Sequence, residues 1–499
     1  MSTVLVVGGG TVGLSAAVFL SHHGVDVHLV ECASGPQVHP RATGVGFRTM
    51  ELFREVGLDG AVDAVAVDMA GSNLGKVTAR TLAEADLPGR PPGPTRARLT
   101  ADMTYTPVTL RGTCPQSRLD AVLLPAARDR GARVEYGVGL ASFEQDADGV
   151  TAVLSDGRTV RADYLVAADG ARSGVRAALG IGASGPGELG EPMTNTLFRA
   201  DLTALLGGHS FATCTLTHPD ATGMLVTVDG ATEWCLHTAG DSAPRADLIR
   251  IALGVDDLEL EIVSALPWRM RGLVADRFTA GRVFLVGDAA HAVPPLGAFG
   301  MNTGVADAHN LAWKLALVLR GEAAPALLDS YDAERRPVAL VTLEQAVLRL
   351  ADPALHWDRG PGGAAGRARV GALNAPVVHA GYRYASGAVI DPRPALPSTE
   401  DVALDLDGAP GSRVPHAWIA DGVSTLDLVG SRFTVLTADD AWLDAADRAG
   451  VAAHAVDLPQ IPARGALLVR PDGFVGWRAG DTPDRLAPAL AALLGYASA

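Results

Sequence analysis

Three short stretches of the sequence place glycines and acidic residues directly after apolar runs, where backbone and carboxylate groups can bind a nucleotide. The first, GGGTVG at residues 8–13, is a GxGxxG pattern that follows the run TVLVV. In such a pattern Gly8 allows a tight turn, Gly10 lets a pyrophosphate approach the backbone, and Gly13 allows a helix to pack closely on a strand. The pattern predicts a dinucleotide site, and a glycine-rich turn without a ligand is the alternative.

The residues that follow this pattern favour the dinucleotide. Thr11 and Val12 open a helix-like segment, and the N–H groups of a helix N-terminus attract phosphate. Glu31 lies 21 residues after Gly10, at the end of the run VDVHLVE. A carboxylate at that place can bind ribose hydroxyls. Strand, turn, helix and strand in about thirty residues predict the opening of a parallel α/β sheet.

The second stretch is DYLVAADGARSGVR, residues 163–176. A buried strand is predicted to deliver Asp169 and Gly170 at its carboxyl end, and Arg172 and Arg176 follow. A plain Asp-Gly turn is the alternative for the first two residues taken alone.

The third stretch, VFLVGDAAHAVPPLGAFGMNTG, runs from residue 283 to residue 304. Gly287 and Asp288 end a predicted strand, so the carboxylate of Asp288 can accept a hydrogen bond from a ribityl or ribose hydroxyl. Pro294 and Pro295 fix the loop, and glycines at 297, 300 and 304 leave bare backbone for a flat ring. A junction that serves only packing is the alternative.

A helix is predicted to follow this loop, beginning near residues 302–305 and reaching Leu319. Its N-terminus would face the pyrimidine side of a flavin. That ring gains negative charge when it is reduced, and a helix N-terminus favours such charge by about 0.3–1 kcal/mol.

The rest of the chain must position these stretches. Residues from about 180 to 275 alternate in a strand-like way and predict a mostly antiparallel second layer. The segment GPGGAAGRAR at 360–369 is predicted to be a loop or linker. A smaller region follows it, with strands predicted in RFTVLTA and GALLVRPDGFVGWR.

Composition limits the classes of function. The chain has 499 residues, 48% of them hydrophobic, which predicts a globular protein of two or three domains. A net charge of −15 without a basic run argues against nucleic acid. Four scattered cysteines indicate a reducing, cytoplasmic setting. We expect no signal peptide and no membrane association, since no apolar run approaches the ~18–20 residues of a bilayer span.

Taken as a set, the three stretches resemble the FAD-dependent aromatic hydroxylases of the para-hydroxybenzoate hydroxylase class, over about residues 1–350. The segments HPRATGVGFRTMELFREVGL (39–58) and CPQSRLDAVLLPAA (114–127) strengthen the resemblance. It implies that Arg41 and Gln116 lie along a non-covalently bound FAD. The full expected cofactor set is Gly8, Gly10, Thr11, Val12, Gly13, Glu31, Arg41, Gln116, Asp169, Gly287, Asp288, Pro295, Gly300, Met301 and Asn302.

The segment GAFGMNTGVADAHNLAWKL (297–315) and the additional C-terminal region most resemble those of the bacterial hydroxylases of aromatic polyketides, of the aklavinone hydroxylase type. In those relatives the C-terminal region has a thioredoxin-like fold. The last cysteine here is Cys235, so that region cannot perform dithiol chemistry. We expect it to serve structure or oligomerisation, which leaves a homo-oligomer open.

The resemblance implies an α/β fold, in which a Rossmann-like FAD-binding domain interleaves with an antiparallel-sheet substrate domain and a thioredoxin-like domain follows. We expect the FAD-binding domain to comprise residues 1–75, 111–178 and 276–375, the last with a helical region. The substrate domain is expected at 76–110 and 179–275, and the thioredoxin-like domain at 376–499.

The resemblance also implies a mechanism. NADPH or NADH binds transiently and reduces the flavin, O2 adds to give a C4a-hydroperoxyflavin, and that species hydroxylates an electron-rich phenolic carbon. We therefore expect no metal, no covalent protein nucleophile and no Ser/His/Asp triad. His291, beside Gly287 and Asp288, is either a structural histidine with satisfied hydrogen bonds, the commoner case, or a catalytic base.

The substrate, a polycyclic phenol made in antibiotic biosynthesis, is expected to bind between the FAD-binding domain and the segment 180–275. Met224, Trp234 and His237 are candidate contacts, each of which is alternatively a core residue. Phe299 belongs to the segment GAFG at residues 297–300, where many family members have GGQG. It contacts the substrate or only packs the loop.

Three other functions stay open at this point. The same scaffold can insert oxygen next to a ketone in a Baeyer–Villiger reaction, and it can act as a flavin oxidase or dehydrogenase that inserts no oxygen. A flavin- or nucleotide-binding sensor is the alternative outside enzymes.

Overall fold

The computed structural model describes residues 3–40, 42–68, 73–87, 103–209, 211–240, 243–358 and 360–496. The strands in chain order are β1 (Thr3–Val7), β2 (Asp26–Glu31), β3 (Val67–Asp68), β4 (Asn73–Ala79), β5 (Gly112–Thr113), β6 (Arg133–Tyr136), β7 (Leu140–Gln145), β8 (Val150–Leu154), β9 (Thr159–Ala162), β10 (Tyr164–Ala167), β11 (Ala183–Arg199), β12 (Phe211–Leu216), β13 (Gly223–Thr227), β14 (Glu233–Ala239), β15 (Glu261–Ala275), β16 (Thr279–Ala280), β17 (Val283–Leu285), β18 (His291–Ala292), β19 (Trp418–Ala420), β20 (Val423–Ser424), β21 (Thr434–Thr437), β22 (Ala452–Ala455), β23 (Ala466–Val469) and β24 (Val475–Ala479). The α-helices are α1 (Thr11–His22), α2 (Phe47–Glu55), α3 (Asp59–Val65), α4 (Gln116–Asp129), α5 (Gly174–Ala178), α6 (Thr203–Leu206), α7 (Ala246–Leu253), α8 (Phe299–Leu319), α9 (Asp329–Ala351), α10 (Ala354–Trp357), α11 (Pro361–Val370), α12 (Val402–Asp405), α13 (Asp440–Ala449) and α14 (Leu486–Leu493).

A parallel sheet forms the base of the molecule, in the order β6-β2-β1-β10-β17, with the short β16 antiparallel at the edge. Strands β1, β10 and β17 are continuous apolar runs because helices and the rest of the chain cover both faces of the sheet. Val7, Ala167 and Leu285 pair across β1, β10 and β17, so these strands end level with one another. The opening βαβ unit and the buried strands of all three motifs are confirmed.

The second sheet has the order β18-β15-β11-β14-β13-β12-β4 and is antiparallel except for the β12–β4 pair. One of its faces packs on α7 around Phe198, Trp234 and Leu236. This is the antiparallel layer expected between residues 180 and 275. Its edge strand β18 comes directly after Gly287 and Asp288, so the two sheets are joined beside the third motif.

The C-terminal region folds around a four-stranded sheet in the order β22-β21-β23-β24, with α13 and α14 packed on it. The mixture of a parallel β21–β22 pair and an antiparallel β23–β24 hairpin fits the expected thioredoxin-like fold. No helix within the described ranges is long and apolar enough to cross a bilayer.

Two local predictions are wrong. Residues 361–370 form helix α11 and not a linker, because Pro361 starts the helix and Arg367 pairs with Glu400 at 2.7 Å. A Cβ added to Gly363 would lie 2.1 Å from the carbonyl oxygen of Asp358, so that glycine permits close packing and not flexibility. Tertiary contacts override the weak helix propensity of the segment.

The second error concerns the start of α8. The helix begins at Phe299, three residues before the predicted range, and the preceding Ala298 has φ 54°. A left-handed residue turns the chain sharply, so the helix follows the loop at once. The prediction that it reaches Leu319 is confirmed.

A buried ionic cluster joins the C-terminal region to the helices behind the parallel sheet. Glu334 of α9 accepts hydrogen bonds from Lys314 of α8 (2.7 Å) and from Arg470 after β23 (2.5 and 2.9 Å). Arg470 also pairs with Asp472 at 2.5 Å, and all four side chains are buried. Because each charge has a close partner of opposite sign, separating these two parts of the molecule would leave buried charges unpaired.

Candidate nucleotide and substrate site

The three motifs meet at one edge of the parallel sheet. Strands β2, β1, β10 and β17 are adjacent and run the same way, so their carboxyl ends deliver Glu31, Gly8, Asp169 and Asp288 side by side. At about 4.8 Å between neighbouring strands, these four ends span about 15 Å. Ligands of open α/β sheets bind in the crevice at this edge.

The glycines of the first motif have three different environments. A Cβ added to Gly8, which has φ 111°, would lie 2.3 Å from the carbonyl oxygen of Ala168. One added to Gly13 would lie 1.9 Å from the oxygen of Gly8, whereas one added to Gly10 would meet no described atom within 4 Å. Gly8 and Gly13 therefore serve the turn and the packing, and Gly10 borders open space.

Helix α1 begins beside that open space without a side-chain cap on its N-terminal N–H groups. The first four N–H groups of any helix lack intrahelical partners. Those of α1 therefore give the space the partial positive charge that a diphosphate requires.

The carboxylate of Glu31 closes the adjacent side of the crevice. Its Oε2 accepts from the N–H of Gly9 at 2.6 Å and its Oε1 accepts from the N–H of Ala33 at 2.7 Å. The thiol of Cys32 also donates to Oε1 at 3.3 Å, so Oε2 is the oxygen that keeps a further lone pair for a hydroxyl donor. Tyr136 donates its hydroxyl to the carbonyl of Gly9 at 3.1 Å and so fixes the same turn.

Asp120 of α4 lies buried behind the start of α1. Thr11 donates its hydroxyl to Asp120 Oδ1 at 2.5 Å, and Oδ2 has no hydrogen-bond partner among the described residues. Burial raises the pKa of Asp120 to about 6, although the Thr11 hydrogen bond opposes the shift. An acid with a pKa of about 6 is thus hydrogen-bonded to Thr11, the residue that follows Gly10.

Asp169 presents an unsatisfied oxygen to the crevice edge. Its Oδ2 accepts from the N–H of Val175 at 3.0 Å, whereas its buried Oδ1 has no partner in the part of the chain that the structure describes. Arg176 donates to the carbonyls of Ala171 (2.9 Å) and Ala289 (2.6 Å), which ties the second motif to the third.

The third motif packs directly on the first. A Cβ added to Gly304 would lie 2.7 Å from Cγ2 of Val12, and one added to Gly287 would lie 3.0 Å from both Val12 methyl groups. Val12 therefore holds the start of α1 against α8 and the 3₁₀ turn at 287–289. The side chain of Asp288 is exposed at the mouth of the crevice.

Asp307 of α8 fixes this turn from the inside. Its Oδ2 accepts from the N–H of Gly287 at 3.1 Å and lies 2.7 Å from Nε2 of His291, and its Oδ1 accepts from Arg335 at 2.7 Å. Burial alone would raise the pKa of Asp307, but Arg335 and His291 lower it. His291 is fully buried, with Nε2 on this carboxylate, whereas its Nδ1 has no hydrogen-bond partner among the described residues, so the structural and the catalytic role both stay predictions.

The start of α8 is joined to the loop after β2 through one amide. Asn302 Oδ1 accepts from the N–H of Gly46 (2.8 Å) and the hydroxyl of Thr49 (2.7 Å), while Nδ2 donates to the carbonyls of Gly44 (3.0 Å) and Ala298 (2.6 Å). The side chain is therefore fully used by the protein. Only the backbone of Asn302 stays available to a ligand.

Phe299 is enclosed by protein side chains. Its ring lies under Gly297, at which an added Cβ would be 2.3 Å away, and 5.2 Å from the ring of His379. The guanidinium of Arg349 lies 5.1 Å over the same ring. Burial lowers the pKa of His379 to about 4, so it supports the glycine loop as a neutral ring.

The remaining candidates for the cofactor site are Gln116, Pro295, Met301 and Arg41. The N–H of Gln116 donates to the carbonyl of Ala42 at 2.9 Å, which places α4 against the loop after β2. Pro295 is exposed and Met301 is half-buried at the start of α8. Arg41 lies outside the described residues.

The substrate candidates of the second sheet divide between its faces. Met224 and His237 are paired across β13 and β14 and share one face. Trp234 lies on the opposite face, in the core against α7, and donates its indole N–H to the carbonyl of Ala200 at 3.2 Å. Its position is that of a core residue.

The geometry fits a flavin dinucleotide. Gly10 leaves a cradle that a Cβ would fill, Asp169 has a buried oxygen that needs a donor, and Glu31 borders the same space. Helices α1 and α8 both begin at this crevice without a side-chain cap. The donor set suits phosphates and hydroxyls, and the bare backbone before α8 suits a flat ring.

Sequence reasoning missed Asp307, Asp120, Asn302's side-chain role and His379. Asp307 and Asp120 did carry a signal, since each is an acidic residue in an apolar helical stretch (GVADAH and SRLDAVLL). Such a residue, when buried, requires a partner. Nothing in the local sequence of His379 marks it as a neighbour of residue 299.

Two family models match the chain. The model described as "FAD binding domain" matches residues 1–346, and the one described as "Aromatic-ring hydroxylase, C-terminal" matches residues 407–497. Together they extend over both the crevice and the C-terminal sheet.

Individual relatives match over almost the whole chain. A putative polyketide hydroxylase of Streptomyces halstedii is 42% identical, over 95% of this chain and 93% of its own. The tetracenomycin B2 monooxygenase-dioxygenase of Streptomyces olivaceus is 40% identical, over 96% of each chain. The crystal structure of aklavinone-11 hydroxylase with FAD and aklavinone superposes with a TM-score of 0.82 at 34% identity, over 99% of each chain.

Proposed function

Since the chain belongs to the FAD-dependent aromatic-ring hydroxylases and is a flavoprotein monooxygenase, we propose that it hydroxylates an aromatic polyketide with NADPH or NADH as transient electron donor. A putative polyketide hydroxylase matches the chain over nearly the full length of both, and the superposed aklavinone-11 hydroxylase holds FAD and aklavinone, which supports this substrate class. The observation that carries the proposal is the open cradle at Gly10, with Asp169 and Glu31 at the same edge of the parallel sheet and the second sheet joined to that edge through β18.

We propose that the FAD diphosphate lies on Gly10, Thr11 and Val12, as the first motif predicts. Glu31 would hold the ribose hydroxyls, and Asp288 and Asp169 would accept from hydroxyls near the middle of the cofactor. The remaining members of the proposed set are Gly8, Gly13, Arg41, Gln116, Gly287, Pro295, Gly300, Met301 and Asn302, of which Asn302 acts through its backbone.

When bound, FAD supplies the chemistry by which this family transfers electrons from a nicotinamide to O2 and places one oxygen atom on an aromatic ring. The protein's own part is positioning. The first turn of α8 directs N–H groups at the bare loop 297–300, where a reduced ring would carry charge. Val12, Asp307 and Asn302 hold that turn in place through the contacts described above.

We further propose the six-segment division of the chain, with 1–75, 111–178 and 276–375 binding FAD, 76–110 and 179–275 covering the substrate, and 376–499 acting as a structural domain. The ionic cluster at Glu334 supports a structural role for the last segment. Association into a homo-oligomer is part of the same proposal.

The proposal is tested with purified protein and a panel of polycyclic phenols. We expect the protein to be yellow, NADPH to bleach it faster when a true substrate is present, and one atom of ¹⁸O₂ to enter the product as a phenolic hydroxyl. A product that is an ester or lactone would show Baeyer–Villiger oxygenation in place of hydroxylation. Flavin reduction without ¹⁸O in any product would overturn the monooxygenase assignment.

A further inference from the structure

Three polar side chains of the second sheet lie on one face and point the same way. Asn195 of β11 pairs directly with His237 of β14 and with Leu266 of β15. Trp268 is two residues beyond Leu266 and pairs with Met193. Residues opposite each other, or two apart on a strand, share a face, so the three side chains project together. The rings of His237 and Trp268 are 6.0 Å apart.

This face looks away from the core on α7. Phe198 and Trp234, three residues from Asn195 and His237, pair with each other on the opposite face and belong to that core. The loop after β2 reaches the polar face, because Nδ1 of His39 lies 2.6 Å from the hydroxyl of Ser264, which is on the same face. That loop continues to Gly46, which is hydrogen-bonded to Asn302 at the start of α8.

The three side chains have buried polar atoms without a hydrogen-bond partner among the described residues. These atoms are Asn195 Oδ1, His237 Nδ1 and Trp268 Nε1, and Asn195 as a whole is only 8% exposed. An unsatisfied buried polar atom costs about 1–3 kcal/mol, and folded proteins seldom leave one. Three of them on one face indicate a space that a ligand or ordered water completes.

The chemistry of the three atoms defines their partner. An indole N–H only donates, and an amide oxygen only accepts. Burial lowers the pKa of His237 to about 4, and His39 adds to the shift, so its imidazole is neutral at pH 7. The set therefore carries no charge and suits a neutral ligand that offers both a hydroxyl donor and a carbonyl acceptor.

We propose that Asn195, His237 and Trp268 form the recognition surface for a hydroxy-carbonyl edge of a polycyclic aromatic substrate, in which a phenolic hydroxyl donates to Asn195 and the neighbouring ring carbonyl accepts from Trp268. His237 lies on β14, across Asn195 from the strand of Trp268, and its ring, 6.0 Å from the indole, serves either group. This inference rests on the proposed function and narrows it, because it selects hydroxyquinone-type rings over phenolic acids. The surface thereby fixes which ring of the substrate enters first.

The inference is tested by equilibrium binding to the FAD-loaded protein in the absence of NADPH. The probes are 1-hydroxyanthraquinone, which has the hydroxyl and the adjacent carbonyl, anthraquinone, which has only the carbonyl, and 4-hydroxybenzoate, a phenolic acid. Binding is followed by perturbation of flavin absorbance. We expect the hydroxyanthraquinone to bind about fivefold tighter than anthraquinone, the size of one net hydrogen bond, and the benzoate to bind weakest.

Two variants assign the groups. Asn195→Leu should abolish the preference for the hydroxylated ring, and Trp268→Phe, which removes the N–H but keeps an aromatic ring, should weaken both quinones about fivefold. Trp234→Phe makes the same chemical change on the opposite face and should leave the preference unaltered. Asn195→Ala serves if Asn195→Leu fails to fold, as judged by its FAD content and circular dichroism.

Unchanged quinone affinities in Asn195→Leu and Trp268→Phe would overturn the inference and show that water satisfies the three atoms. If the wild type oxygenates polycyclic phenols while these variants keep its preference, only this inference fails. If the wild type shows the expected preference but incorporates no ¹⁸O, the proposed function fails and the recognition surface stands.

Discussion

The carboxylate of Asp307 lies 2.7 Å from Nε2 of His291, and both side chains have 0% exposure. The same Oδ2 accepts the N–H of Gly287, so one carboxylate holds the turn that presents Asp288. The other oxygen of Asp307, Oδ1, accepts a hydrogen bond from the buried guanidinium of Arg335. Asp307 is therefore a positioning residue for the crevice, linked to α9 by a buried ion pair.

We expect Asp307→Asn to weaken FAD binding at least tenfold and to lower the free energy of unfolding by about 3–5 kcal/mol, because Arg335 loses its buried counter-charge. Fluorescence titration of FAD and urea unfolding measure the two effects. Asp329→Asn, at an exposed carboxylate in the first turn of α9, is the matched control and should leave FAD affinity unchanged while lowering the free energy of unfolding by less than about 1 kcal/mol. A folded Asp307→Asn protein with wild-type FAD affinity would contradict the positioning role.

Gly10 and Gly13 should respond differently to the same substitution. Gly10→Ala places its methyl group in open space. Without FAD, the free energy of unfolding of this variant should therefore lie within about 0.5 kcal/mol of the wild-type value. The methyl group would fill the diphosphate cradle, and FAD affinity should fall more than tenfold; Gly10→Val should do the same.

Gly13→Ala should instead impair folding, because its methyl group meets the carbonyl oxygen of Gly8 at 1.9 Å. Thermal melts of the FAD-free proteins, paired with FAD titrations, separate the two effects. Full FAD occupancy in Gly10→Ala would be incompatible with a diphosphate on this residue.

FAD binding should depend on pH through Asp120. Burial raises the pKa of this acid to about 6 in the folded protein, so its contribution to stability is present at low pH and is lost as pH rises through about 4 to 6. Above pH 6 its carboxylate is charged beside Thr11 and repels the FAD diphosphate. We expect FAD affinity to fall about five- to tenfold between pH 5 and pH 8.

The control for this pH effect is Asp120→Asn, which should bind FAD equally at both pH values. Tyr136, also near Asp120, does not titrate in this range, because burial, Asp120 and Glu31 raise its pKa to about 12. A pH profile that is identical in the wild type and in Asp120→Asn would remove Asp120 as its source.

Arg470→Met should lower the free energy of unfolding by about 3–5 kcal/mol, because it leaves Glu334 and Asp472 short of a buried counter-charge. Arg464→Met, at a residue of the same region whose side chain is 74% exposed, should cost less than about 1 kcal/mol. The cluster joins the C-terminal sheet to α8 and α9. When the wild type is unfolded, the loss of FAD fluorescence quenching and the loss of the helical circular dichroism signal should therefore coincide. Two well-separated transitions would show that the regions fold independently.

Much of the site could be predicted because its pieces are local. The GxGxxG turn, Glu31 at the end of β2, and Asp169 and Asp288 at the ends of β10 and β17 follow from apolar runs that stop at a glycine or a carboxylate. Parallel strands with level ends then bring these residues to one edge. The family and the α/β fold could be inferred from the same stretches and are confirmed.

The errors and omissions arise where distant contacts decide. The glycine-rich segment 361–370 is helical because Arg367 reaches Glu400, and α8 starts at Phe299 because Ala298 adopts a left-handed conformation in a tightly packed loop. The apolar stretches around Asp120 and Asp307 indicate buried carboxylates, but their partners Thr11 and Arg335 come from distant parts of the chain.

The sequence by itself determined which backbone positions are free of side chains and which carboxylates stand at strand ends, since those are properties of residue type and spacing over a few residues. Only the tertiary structure decided that the side chain of Asn302 is hydrogen-bonded to Gly44 and Gly46, about 256 residues before it. It also decided that Asn195, His237 and Trp268 face one space. The physical reason is that hydrogen-bond satisfaction of a buried polar atom depends on groups brought together by folding.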